Sequence, residues 1–198
     1  MQLPAFLGSL TDLPSSDDSP PQASGDSATN PNPLPFAMQP QQQSDWCWAA
    51  VAASISSFYR DAPAKSQCEL ATQYLQMPCC INPLPPPPPP QWDGNQSYTL
   101  DVPLQVLNHL SAPLIPDVMS FEDIVIDINA GKPICCHIKW DQDAPHDGHF
   151  NAIVGYVSQT QDLIIRDPYG TYGQSTVPYD TFKSNYHGGS WDQTYRTS

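Results

Sequence analysis

Cys47 stands between two tryptophans in SDWCWAA, residues 44–50, and the chain continues with Val51, Ala52 and Ala53. A thiol in that setting has two readings. It is a small apolar residue buried at the start of a core helix, or it is a nucleophile held at the head of that helix. A nucleophilic thiolate needs a base beside it, a group that orients the base, and donors for the oxyanion. The chain offers candidates for each. The unpaired amides at the helix head are donors, His149 follows Gly148 at the start of HFNAIVGYV, and Asp167 closes LIIRD. The competing readings are a strand histidine satisfied by a neighbour and a turn aspartate ahead of Pro168.

These residues act together only if the elements between them bring them together. Val51, Ile55, Phe58 and Tyr59 recur at near-helical spacing with alanines between them, so 47–60 is expected to be a helix. Ser44 or Asp45 is its expected cap, and Asp61 with Pro63 its end. Cys47 is then at the N-terminus, where unpaired amides and the helix dipole favour negative charge. Further helices are expected over 66–75, 100–110 and 120–130, the last with Ser120 and Asp123 as a capping box. After Gly131 the pattern becomes that of strands: ICCHIKW (134–140), HFNAIVGYV (149–157), LIIRD (163–167), STVPY and the terminal WDQTYRT. PYDTFKSNY reads as a helical turn. Helices first and sheet second is an α+β architecture. If residues 158–162 form the turn of a hairpin, 149 and 167 fall near the same open end, in a register that can slip by two residues. That places a carboxylate near one imidazole nitrogen.

Residues 1–36 carry no Lys or Arg and are rich in Pro, Ser, Asp and Asn, so they read as a disordered leader ahead of a domain over 37–198. The six consecutive prolines of NPLPPPPPPQ, residues 82–91, read as a stiff exposed loop. The 198 residues hold 20 Asp and Glu against 7 Lys and Arg, a formal charge of −13. That balance argues against nucleic acid or anionic membrane as a partner. No apolar run is long enough to span a bilayer. The N-terminus lacks the cationic start and unbroken apolar core of a secretory signal, so a cytoplasmic protein, one exported by another route, or one missing its original start is expected.

Six cysteines include two vicinal pairs and no C-x-x-C, which fits neither a small disulfide scaffold nor a zinc ribbon. Cys68 could bridge Cys79 or Cys80, or all three could be reduced. Cys135 and Cys136, adjacent on a strand, point to opposite faces, so one of them is expected in the core. His146, Asp147 and His149 suggest a metal site, but three ligands from four residues rarely converge and no fourth is evident. His109 and His187 read as surface or helix-end residues, His137 as a core or edge residue. Trp46 and Trp48 are expected to wall a cleft and pack the helix.

The segment QQQSDWCWAA, with GHFNAIVGY and IIRDPYG after it, resembles the papain-like cysteine peptidases. They place a glutamine about six residues before a Cys-Trp at the head of a long helix, then a histidine strand, then a strand carrying the third member. The likeness spans residues 38–198. It is similar to bacterial avirulence-type effector peptidases and, more distantly, to bacteriocin-leader peptidases. The resemblance implies a papain-like fold, with an N-terminal helical lobe and a C-terminal twisted antiparallel sheet. Cys47 would be the nucleophile, His149 the base, Asp167 the orienting group and Gln41 the oxyanion donor, with Gln42 and Gln43 as rivals for the last role. It also implies a Cys-His-Asp peptidase that acts as a monomer on a peptide or protein and needs no metal or organic cofactor. Asp in place of the Asn of many plant and lysosomal relatives, and the missing cysteine pattern around the nucleophile, are departures. A catalytically silent binding module and an acyl transferase using the same triad are the alternatives.

Overall fold

The computed structural model describes residues 33–81, 94–140 and 148–198. Its elements are α1 (Cys47–Phe58), α2 (Gln67–Leu75), α3 (Asp101–Val106), α4 (Phe121–Asn129), β1 (Ile134–Trp140), β2 (His149–Val157), β3 (Asp162–Arg166), β4 (Gln174–Pro178), α5 (Tyr179–Ser184) and β5 (Gly189–Arg196). The strands form one antiparallel sheet in the order β4-β3-β2-β1-β5. The fold is therefore the α+β class the sequence implied.

The central strand β2 is buried along its length apart from Val157, because apolar layers cover both faces of the sheet. One layer holds α1 with Phe150, Ala152 and Val154; the other holds α4 and Phe182 with Ile153, Ile165 and Trp191. This corrects the expectation for the vicinal thiols. Cys135 belongs to the first layer and Cys136 to the second, so both are core residues. Burial raises the pKa of each thiol, which keeps them protonated and inert.

Helix α1 has no solvent face over Cys47–Ser56. Its alanines are as buried as Val51 and Ile55, because small side chains let a helix lie close on a sheet. The expected caps are wrong: Trp46 occupies the N-cap, with no side-chain hydrogen bond to the first turn. The helix ends at Phe58, two residues early. Arg60 adopts a left-handed φ of 63°, and the Asp61 amide returns to the Ser56 carbonyl at 3.0 Å. Trp46 and Trp48 pin this helix through their indole N–H groups, which donate to the Gly94 and Gln96 carbonyls at 2.7 and 3.1 Å.

Ser66 and Glu69 form a full capping box on α2, and Ser120 caps α4 by accepting from the Asp123 amide. Helix α3 stops at Val106 instead of Leu110, with Asn108 at a φ of 59° turning the chain. His109 is not a surface residue: it is buried, stacks on Tyr59 and meets both Asp61 carboxylate oxygens at 3.0 Å. The expected leader boundary also falls inside packed chain. The Leu34 amide donates to the Val154 carbonyl at 2.8 Å and Phe36 is buried. Residues 1–32 of the expected leader, residues 82–93 with the proline run, and residues 141–147 lie outside the described residues.

Cys68 and Cys80 are joined in a disulfide across a sequence separation of 12. Closing a loop of that size stabilises the fold by about 2–3 kcal/mol. Cys80→Ser is expected to lose that amount in urea unfolding under oxidising conditions and nothing further under reducing ones.

Candidate active site

Cys47 is the first residue of α1, at a position whose amide no helical carbonyl reaches. His149 opens β2 at the end of the sheet facing that helix terminus. The imidazole and the Cys47 thiol line one cavity and lie close enough to interact electrostatically. Through Nε2 the imidazole meets Asp167 Oδ1 at 2.7 Å. Nδ1 is therefore the nitrogen left for sulfur.

The pairing of β2 with β3 explains how Asp167 arrives. Val157 faces Asp162, a bulge intervenes near Gly155, and Ala152 faces Arg166. Continuing that register puts Asp167 opposite Asn151, not opposite His149. The chain leaves the sheet at Pro168, and the carboxylate reaches His149 diagonally. It is completely buried as a side chain and fully used. Oδ1 also accepts from the Tyr169 amide at 2.8 Å, and Oδ2 accepts from the Tyr186 hydroxyl at 3.0 Å.

Burial alone lowers an imidazole pKa. Here the hydrogen bond to Asp167 and the proximity of Cys47 outweigh it and push His149 up to about 10. The arrangement thus favours a protonated imidazole between a carboxylate and a sulfur.

Gln41 is the glutamine that reaches this site. It lines a cavity of about 290 Å³ with Cys47, His149, Trp140, Tyr169 and Tyr172. Gln42 and Gln43 line a separate cavity beside Cys79 and Cys80. The Gln41 side-chain amide donates to the Gln43 and Ser44 carbonyls at 3.0 and 2.5 Å, and its Oε1 is buried without a partner. Its backbone amide donates to the Pro168 carbonyl at 2.9 Å, which ties it to the loop after Asp167.

The cleft walls differ from expectation. Trp46 and Trp48 are buried at the head of α1 and are not among the residues lining the cavity at Cys47; Trp140, stacked 6.0 Å from His149, and Tyr172, edge-on at 6.4 Å, flank the imidazole instead. Gly148 is required where it stands, since a Cβ would overlap His137 Nε2 and the Ile138 carbonyl. His137 is itself paired with Asp192 at 2.7 Å. His187 is exposed and stacks on Tyr172. His146 and Asp147 of the H-D-G-H segment lie outside the described residues. Among those described, no group of three His, Cys, Asp or Glu is placed to hold a metal, and no helix is long and apolar enough to cross a membrane.

Tyr186 had no signal in the sequence, because it lies beyond α5 in a segment without periodicity. Tyr186→Phe removes one donor from a buried carboxylate while keeping the ring. It is expected to destabilise the protein by about 1–3 kcal/mol in urea titration.

A thiol at a helix head and an imidazole on one cavity, the imidazole held by a buried carboxylate, set between a central helix and an antiparallel sheet, define the architecture of a papain-like cysteine peptidase. The model of the Peptidase_C39-like family matches residues 33–198, and the chain belongs to that family. Its fold is the papain-like one related to the bacteriocin-leader peptidases. The peptidase domain of Streptococcus ComA, a bi-functional ABC transporter involved in a quorum-sensing pathway, superposes with a TM-score of 0.54 at 16% identity, covering 82% of this chain and 98% of that one. The corresponding domain of Streptococcus mutans ComA gives a TM-score of 0.46 at 16% identity over 82% and 100% of the two chains. No curated protein sequence matches this one. Family and fold together support a cysteine-peptidase-type function.

Proposed function

We propose that this protein hydrolyses peptide bonds with Cys47 as nucleophile, His149 as acid and base, and Asp167 as the group that orients the imidazole. The observations that carry this reading are the cavity that Cys47 and His149 line together and the 2.7 Å hydrogen bond from His149 to a fully buried Asp167. In the reacting pair, the thiol proton resides on Nδ1 of His149. Thiolate sulfur adds to the substrate carbonyl, and the oxyanion takes the unpaired N–H at the head of α1 and the Gln41 amide. Gln41 must release the Ser44 or Gln43 carbonyl to do so. The Nδ1 proton passes to the leaving amine as the C–N bond breaks, which leaves a thioester on Cys47. Water, deprotonated by His149, then releases the acid and restores the thiol.

The substrate is a peptide or protein, the protein works as a monomer, and neither nucleic acid nor membrane takes part. The aromatic flanks formed by Trp140, Tyr169 and Tyr172 suit an apolar side chain next to the scissile bond. The test is modification by a peptidyl vinyl sulfone, read by intact mass and peptide mapping. One adduct per chain, on Cys47, is the expected result. No adduct at neutral pH, or modification spread over Cys79 as well, would overturn the assignment. Adding a primary amine during turnover of a peptide ester separates hydrolysis from acyl transfer, since only a transferase returns the amide as main product.

A further inference from the structure

Arg166 and Arg196 mark the last residues of β3 and β5, and they are treated differently by their surroundings. Arg196 is paired in the usual way, with Nε and Nη2 on the two oxygens of buried Asp127 at 2.7 and 2.5 Å. Arg166 meets no carboxylate among the described residues. Its Nε reaches the Phe36 carbonyl at a long 3.4 Å, and its Nη1 is buried with no partner. A half-buried guanidinium with unused donors is costly unless something supplies the missing acceptor. The residue lines a cavity of about 350 Å³ with Phe36, Pro40, Pro168, Gly170 and Gln174. Asp167 borders the same cavity, but its oxygens are taken by His149, Tyr169 and Tyr186, so it serves neither Arg166 nor a ligand.

We propose that this cavity is a carboxylate-binding site, in which Arg166 holds an acidic side chain or the C-terminal carboxylate of a peptide. One guanidinium matches one carboxylate in charge and in its two parallel N–H···O bonds. Among the described residues no second Lys or Arg lines the cavity, which disfavours a phosphate dianion. The net charge of −13 opposes anions at long range, so an anion held here is held by these short bonds. Position gives the site its use. Pro40 and Pro168 line this cavity, while their neighbours Gln41 and Tyr169 line the one at Cys47. The hydrogen bond from the Gln41 amide to the Pro168 carbonyl is the partition between the two. A peptide crossing that partition presents one residue to Cys47 and an acidic group to Arg166.

The carboxylate has two sources. One is a substrate, which rests on the peptidase reading; the other is the chain's own leader, whose charges are Asp12, Asp17, Asp18 and Asp26 with no cation among them. The site itself does not depend on Cys47 chemistry, and its test does not read hydrolysis. The full-length protein, labelled with ¹⁵N, is titrated with acetyl-Gly-Glu-Gly-amide and with its Gln counterpart while the arginine Nε–H signals are followed. A saturable shift of the Arg166 signal with the Glu peptide alone is expected. Arg166→Met, checked to melt as the wild type does, weakens binding by about tenfold or more, and Arg166→Lys does not restore it. Replacing the four leader aspartates by asparagine separates the sources. Tighter binding of the probe makes the leader the resident occupant, and unchanged affinity leaves the site to the substrate. The absence of a saturable, Glu-specific shift in both wild type and leader variant overturns the proposal, as does binding that survives in Arg166→Met. Loss of Cys47 labelling with an intact Arg166 shift would refute the peptidase reading alone.

Discussion

Replacing His149 by alanine is expected to cut hydrolysis by about 10⁴-fold, as much as replacing Cys47 itself, because groups that act as a unit are not additive. Alkylation shows the cause without needing a substrate. In the wild type, iodoacetamide should modify Cys47 faster than it modifies an ordinary thiol, since an imidazolium beside sulfur favours the thiolate. In His149→Ala the rate should fall to the slow profile of an ordinary thiol, rising only on the alkaline side. Cys135 and Cys136 provide an internal control, because burial keeps them protonated in both proteins. A Cys47 that is inert at neutral pH in both proteins would remove the ion pair and leave a binding module as the better description.

Asp167→Asn is the second large effect, expected at about 10³-fold in hydrolysis. Many papain-like relatives manage with asparagine in this role, but here three donors converge on the side chain: His149 Nε2, the Tyr169 amide and the Tyr186 hydroxyl. A carboxylate accepts all three. An amide offers one oxygen and turns N–H donors toward at least one of them, so it disturbs either the imidazole tautomer or Tyr186. The pH profile carries the signature. His149 has its pKa raised from 6.5 to about 10, so the proton it gives the leaving amine is present below that value and lost as pH rises through it. The alkaline limb of the wild-type rate should lie near pH 10 and move to lower pH in Asp167→Asn. Stability follows the same sign. A raised pKa stabilises the fold fully below about 6.5, and that contribution fades between 6.5 and 10. Thermal melts should show the wild type losing its advantage over the variant across that window.

The order Cys, His, Asp and the elements bearing them were legible in the residues. Period-2 and near-3.6 patterns are local properties, so β1 and β2 fall where ICCHIKW and HFNAIVGYV place them, and α1 starts at Cys47. Helix ends were less legible, because a left-handed Arg60 or Asn108 depends on what the chain must meet next. Burial was misjudged wherever it depended on layers. A strand with one dry face leaves one of two vicinal cysteines outside, whereas covering both faces hides both.

Within the site, the residues nominated Cys47, His149 and Asp167, and the family resemblance added the glutamines with Gln41 preferred. The folded chain separates Gln41 from Gln42 and Gln43 physically, since neighbouring side chains in a loop point into different cavities. Tyr186 on Asp167, Trp140 on His149 and the partnerless guanidinium of Arg166 also belong to tertiary structure. They join residues from elements that no local pattern relates. The bulge in the β2–β3 pairing shows the division most directly: residue order placed 149 and 167 at one end of a hairpin, and the register decided that they meet on the diagonal. Periodicity is set by the geometry of a few neighbouring bonds, while contact across elements is set by how the layers pack.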